Sequence, residues 1–450
     1  MSLNATQISM LNQADSSSVQ KVFTLLRGNW GMNCWLSKNN RYKLNCIEKI
    51  KSDSTRNKII HKHIKEYIAA STVTHCMDGW CYLGRAIHSY MYGDSDIAKH
   101  IAYYAELRAA MSLLASEGIG VFDRKHYVIR NASKQTHMLN GDGTHVFVWD
   151  ALKNWIEQPE AYKLILQIPV AEGMPLINWF NMFNARPATL SGLAKKLLLE
   201  WGLDLSKVTG DKESRNLVSY RPTAFNSSGS ISVRDALEFV FNLWRLCEPL
   251  SSMKFRLLDR YLLRKSLGII FKATHPTGRS VKQAPIAYKK QIAAMFNQFN
   301  PSEWSNEKWE KFLTYKHDTE EPLLLEEAQA KSNTFNSHHT QQVLSRATLL
   351  LRIATGACGI LLKQIPDFSR ALQFWWLSLG KDHAVWGQSS SPASAMDLWE
   401  DGSEAIQAIN NWLQTTSGGE VSYGNLQKVK ADSIAVLGSC ERIGMWGLGL

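Results

Sequence analysis

The sequence predicts a mainly α-helical protein of two helical lobes, with a short β-hairpin inserted near residues 121–149. Three observations lead there. Apolar residues recur with helical rather than alternating period along most of the chain. Strand-like composition is confined to Val121–Ile129 and Val146–Trp149, on either side of the turn signal Asn140-Gly141-Asp142-Gly143. A polar stretch punctuated by Gly, Pro and Ser, residues 206–231, interrupts the helical pattern and reads as a linker or long loop. It divides an N-terminal lobe (1–205) from a Trp-rich C-terminal lobe (232–450), with the split near residue 215.

The elements follow in order. Lys49–Ala70 reads as a helix. Asp94 or Ser95 can cap a helix over Ile97–Ser116, which Gly118 can end in a left-handed conformation. That helix is apolar nearly all round, so it belongs inside a bundle, where His100, Glu106 and Arg108 need partners. Trp149–Trp155 fits the start of a helix as well as it fits a strand, and Leu190–Leu203 is helical. Ser232 and Asp235 form a capping-box variant ahead of a helix running to Cys247. Further helices are expected at about 252–271, 283–298, 305–315, 338–363, 366–379, 394–413 and 423–436, with a loop at 316–337. No fixed repeat period appears.

An apolar content of 45% with 20% charged residues suits a packed core and excludes disorder of the whole chain. The nearest approach to a membrane span, Ala347–Leu362, is broken by Arg352, so no membrane is expected. The N-terminus lacks a basic start followed by an apolar run, and the seven cysteines are scattered. These features suggest a reducing cytoplasm with cysteines serving as small apolar residues. No phosphate loop, dinucleotide fingerprint, zinc motif or nucleophile elbow is present. His61 with His63, and His338 with His339, have spacings that suit a shared metal poorly. No cofactor and no metal are expected.

Charge carries the functional reading. The net charge is +11, and residues 252–290 hold ten basic residues against the single acid Asp259. They are Lys254, Arg256, Arg260, Arg264, Lys265, Lys272, Arg279, Lys282, Lys289 and Lys290. Arg256, Arg260 and Arg264 fall at i, i+4 and i+8, one stripe of a helix. Such a stripe suits a DNA or RNA backbone, where each neutralised phosphate releases counterions. It equally suits an acidic protein partner, or pairing with the acids of 301–331, among them Glu303, Glu310 and Glu321. A second basic run, Lys38–Glu66, has nine Lys and Arg against three acids, and Trp35, Tyr42 and Tyr67 beside it could stack on bases.

One arrangement bears a mechanism. An Arg followed by four to six residues and a His, on one helix, can hold a scissile phosphate while the imidazole moves a proton. Arg56 with His61, and Arg130 with His137, match that spacing. In this the chain resembles HEPN ribonucleases, and the resemblance implies a helical, metal-independent nuclease. Arg130 follows a strand-like stretch, which departs from the helical setting of that family. The Ala-rich, Tyr-bearing segment Ala98–Ala110 also resembles uncharacterised bacterial proteins found with defence genes. That likeness implies one subunit of a multi-protein, anti-phage system and supplies no catalytic residue.

The C-terminal lobe is rich in tryptophan, with Phe374-Trp375-Trp376, Trp386, Trp399 and Trp412, and ends in the apolar Gly444–Leu450. These residues suit a core between lobes or hot spots for a protein partner or a second copy. The tail either docks on its own chain or inserts into another subunit. The first expectation is therefore a nucleic-acid-associated binding subunit rather than an enzyme. The alternatives are a HEPN-like ribonuclease and a structural subunit that makes no nucleic-acid contact.

Overall fold

Three long helices carry the core: His61–Met91, Ser95–Ser116 and His339–Leu362. The computed structural model describes residues 3–130, 135–183, 193–207, 210–211, 216, 231–250, 254–314, 321–330, 338–386, 392, 394–417 and 420–449. Small residues let the three helices approach closely. A Cβ on Gly79 would lie 2.5 Å from a Leu351 methyl and 3.3 Å from the Ala105 carbonyl oxygen. Asp94 caps the second helix by accepting from the Ile97 N–H at 2.9 Å, and Gly118 lies beyond its end with φ +93°.

Both lobes share this core. His339–Leu362 comes from the C-terminal lobe and packs on the two helices of the N-terminal lobe, within one continuous hydrophobic cluster. By length and composition alone that helix could cross a membrane, but 89% of its most apolar window is buried inside the bundle. The tail docks on its own chain: Met445 and Trp446 are buried, and Gly444 lies against Met77 and Trp80. Of the expected linker at 206–231, only 206–207, 210–211, 216 and 231 fall within the described residues.

The β component differs from expectation in its partner strand. The antiparallel sheet has the order β1 (Ile119–Gly120), β2 (Lys125–Ile129), β3 (Thr136–Asn140). Tyr127 pairs with Met138, and Val128 with His137. Val146–Trp149 is not a strand but lies in the helix Thr144–Ile156. Its Phe147, Val148, Ala151, Leu152 and Trp155 fall on one buried face, and Gly143 is the N-cap, so the turn signal opens a helix rather than closing a hairpin.

Other boundaries also move. Lys49–Ala70 holds two helices, because Cys46–Thr55 stops at Arg56 and Asn57 turns the chain at φ 51°. The expected loop at 316–337 contains the helix Leu323–Gln329, which starts after Pro322 and buries Leu324, Leu325 and Ala328. The regions 366–379 and 423–436 each divide in two, as Phe368–Ala371 with Gln373–Asp382 and as Tyr423–Val429 with Ala431–Leu437.

Several charged residues inside the core helices meet partners. Arg346 makes two hydrogen bonds to Asp211, at 2.6 and 3.2 Å, and lies 3.7 Å from Glu106. His339 sits 3.4 Å from the same aspartate. Burial, and then the nearby Asp211, drive the Glu106 carboxyl well above the usual range. Arg352 holds Asp259 in the same two-point way, at 2.6 and 3.1 Å. Arg108 meets His75 at 3.0 Å, and His100 packs against the Tyr104 ring.

Candidate nucleic-acid interface

The basic helix is largely turned inward. Within Arg256–Thr274, Arg260, Arg264 and Lys265 are buried. Arg260 is fully buried, lies 3.8 Å above the Trp304 ring and pairs with Glu303. Arg264 sits between the rings of Tyr261 and Phe312, at 4.8 and 4.7 Å. It shares Glu321 with Lys265, whose ammonium is 3.1 Å from that carboxylate. Arg256 lies 3.6 Å from Glu248, and Lys289 lies 3.1 Å from Glu310. The Arg256/Arg260/Arg264 stripe is thus a structural seam, not a phosphate-binding face. The reason is physical: a guanidinium stacks on aromatic rings and forks onto a carboxylate, so it tolerates burial that a free charge would not. Lys272, Arg279, Lys282 and Lys290 remain exposed, and Lys254 stands at the mouth of a cavity.

The second basic run is organised differently. Two of its cations are consumed: Arg41 forks onto Asp53, and Lys51 meets Asp123 at 2.7 Å. Of its other acids, Glu66 accepts hydrogen bonds from Ser37 and Asn40. Lys38, Lys43, Arg56, Lys58 and Lys62 are exposed and form no salt bridge among the described residues. The β2–β3 region is fastened to this run at three points. These are the Lys51–Asp123 pair, the Ser54–Tyr127 hydroxyl contact at 2.8 Å, and the His61–Thr136 contact at 2.9 Å. Exposed Arg124 therefore joins the same ledge.

The structure brings His61 and His137 together, though not in the way the helical spacing implied. Arg56 ends one helix and His61 begins the next, so they do not lie on adjacent turns of one helix. Arg130 follows β2, His137 is in β3, and residues 131–134 lie outside the described set. The Thr136 N–H donates to His61 Nδ1 at 3.2 Å, so a neutral His61 carries its proton on Nε2. Burial, then the charges of Lys65 and His137, lower the pKa of His61. Burial, then Arg130, lower that of His137. Each shift comes first from burial and only then from neighbouring charge. Both effects favour the neutral ring, the form that accepts a proton, over the protonated form that would act as the acid.

Aromatic stacking also changes place. Tyr42 is buried, with its hydroxyl between Asp53 and the Ile60 N–H, and Tyr67 packs on Phe122. Trp35 joins a cluster with Trp30, Phe374 and Trp375. Beside it runs a groove of about 970 Å³, lined by Trp30, Phe374 and Trp375 with exposed Arg27 and Arg370. Trp35, Lys38, Arg41 and Lys43 share one loop, so groove and ledge adjoin. Arg27, Arg124 and Arg370 stand in no pattern that the sequence singles out, whereas Trp375 belongs to the run read as core or as a partner hot spot. The only sequence signal was the Phe374-Trp375-Trp376 run itself, which serves both core and groove: Trp376 is buried while its two neighbours are half-buried.

Among the described residues one group could hold a metal ion. Ligand atoms of Cys81, His383 and Glu441 lie within 4.8 Å of one another. In the described structure His383 Nδ1 meets Glu441 at 2.9 Å, a bond that raises the pKa of His383. Burial, then Glu441, keep the Cys81 thiol protonated.

The chain matches no known family model, no curated protein and no solved structure.

Proposed function

We propose that the protein binds a nucleic-acid strand along the ledge formed by Lys38, Lys43, Arg56, Lys58, Lys62 and Arg124. The observation that carries this reading is the fastening of the β2–β3 region to the basic run, which collects exposed cations beside acids of which Asp53, Glu66 and Asp123 are engaged, while Glu48 forms no ion pair among the described residues. An exposed cation without a carboxylate partner is available to a phosphate. The adjoining groove, with its half-buried aromatic faces and two arginines, suits unpaired bases. Binding by this face, within a larger assembly of defence proteins, is the role to which the bacterial resemblance points. The test is photo-crosslinking to a 4-thiouridine RNA, with the sites mapped by mass spectrometry. Crosslinks in 27–65, 124–137 or 370–378 support the reading. Crosslinks confined to 256–290, or none, refute it.

The seating of His61 on Thr136, the neighbour of His137 in β3, favours one second reading, metal-independent RNA cleavage. His137 would take the proton of a ribose 2′-hydroxyl as that oxygen attacks the phosphorus, Arg130 would hold the phosphate, and the P–O bond to the 5′-oxygen would break with that oxygen taking its proton from water. Cleavage in EDTA that His137→Ala abolishes would establish it. Absence of cleavage, or cleavage that survives this substitution, would leave binding alone.

A further inference from the structure

A cavity of about 280 Å³ lies where four distant parts of the chain meet: residues 169–173, the start of Arg256–Thr274, the C-terminal half of His339–Leu362, and the tail. Its walls are apolar, with Val170, Phe255, Phe368 and Leu448. Its charged groups are distributed unevenly. Asp259 and Arg352 neutralise each other at the base. Lys254 and Lys363 also line the cavity, and neither forms a salt bridge among the described residues. Two ammonium groups are thus held near each other over an apolar chamber without a counterion. Like charges so placed repel, and the repulsion is relieved by an anion between them. The pKa of Lys254 is brought down to about 8, first by desolvation where its ammonium meets the tail and then by the charge of Lys363.

Backbone packing supports a built site. A Cβ on Gly449, which has φ +100°, would lie 3.1 Å from Lys254 Nζ and 2.7 Å from Phe368, so the tail closes on the ammonium without a side chain. Gly359 lines the cavity with nothing within 4 Å of its Cβ position.

We propose that this cavity binds a small amphipathic anion, with a carboxylate or phosphate head between Lys254 and Lys363 and an apolar body against Phe255 and Phe368. An apolar chamber with a few convergent polar groups is the usual form of a small-molecule site. The two heads share one chemistry, and the choice of probes separates them.

The experiment is titration calorimetry of the full chain with benzoate, octanoate, phenyl phosphate, inorganic phosphate and neutral benzyl alcohol. At least one of the three amphipathic anions is expected to bind one to one, roughly tenfold or more tighter than either inorganic phosphate or benzyl alcohol. The better head group then identifies the class. Solvent reaches both lysines, so Lys254→Ala with Lys363→Ala keeps the fold and is expected to weaken binding roughly tenfold or more. Gly359→Leu fills the chamber from a position with open space and is expected to abolish binding. No binding by any of the three anions overturns the proposal. So does unchanged affinity in the lysine variant or in Gly359→Leu.

Discussion

Glu117 gives the protein a pH-dependent stability that can be worked out from its surroundings. The residue is buried and caps the C-terminal end of Ser95–Ser116, where helix carbonyls make a carboxylate unwelcome. Burial, reinforced by the carboxylates of Glu160 and Asp15, pushes its pKa up to about 7 from an ordinary value of 4.5. Between those values the folded chain keeps a proton that the unfolded chain has released. Stability therefore falls as pH rises: the contribution is fully present below the unfolded pKa and lost as pH passes the folded one. The span corresponds to roughly 3 kcal/mol. Glu117→Gln preserves shape and stays neutral throughout, so it removes the slope. Urea unfolding of both proteins between about pH 4.5 and about pH 7.5 measures the effect. The variant is expected to gain roughly 3 kcal/mol on the wild type across that range. A difference that stays constant with pH would refute the assignment of this proton to Glu117.

Other perturbations follow from the same packing. Arg352→Leu strands Asp259 in the core and is expected to cost about 3–5 kcal/mol by urea unfolding, while Arg352→Leu with Asp259→Leu recovers most of it. If the double variant is no better than the single one, the pair is not the cause. Gly79→Val forces a side chain into Leu351 and the Ala105 carbonyl, and is expected to cost about 1–3 kcal/mol or more; an unchanged midpoint would mean the helices have room to separate. Arg260→Gln removes the cation from Trp304 and from Glu303. It should lower the melting temperature without altering RNA affinity per folded molecule, and a loss of affinity with unchanged melting would restore the basic helix as an interface.

Much of the helical architecture was legible because its signals are local. Asp94, Ser232 and Gly118 act through their own backbone neighbourhoods, and the apolar surround of 97–116 shows that this helix is central. The second strand was misplaced because Val146–Trp149 has strand composition, while the Gly143 N-cap and the buried face running on to Trp155 favour a helix. The candidate site was less legible for a related reason. A cation stripe looks the same in sequence whether it meets solvent or carboxylates some forty residues away, as Arg260 meets Glu303. The acids of 301–331 were visible as possible partners, but which run they would neutralise depends on tertiary packing. The ledge depends on contacts such as His61 with Thr136, which no local pattern encodes.

The salt dependence of RNA binding tests the ledge most directly. A fluorescent single-stranded RNA would be titrated at several salt concentrations against the wild type and a Lys58→Gln, Lys62→Gln, Arg124→Gln variant. Each phosphate contact contributes about 0.7 to the slope of log affinity against log salt, so losing three flattens it by about 2. That flattening, with the helical circular dichroism signal retained, is the expected result. Equal slopes for the two proteins, or no RNA binding by the wild type, would contradict the assignment of nucleic-acid binding to this face.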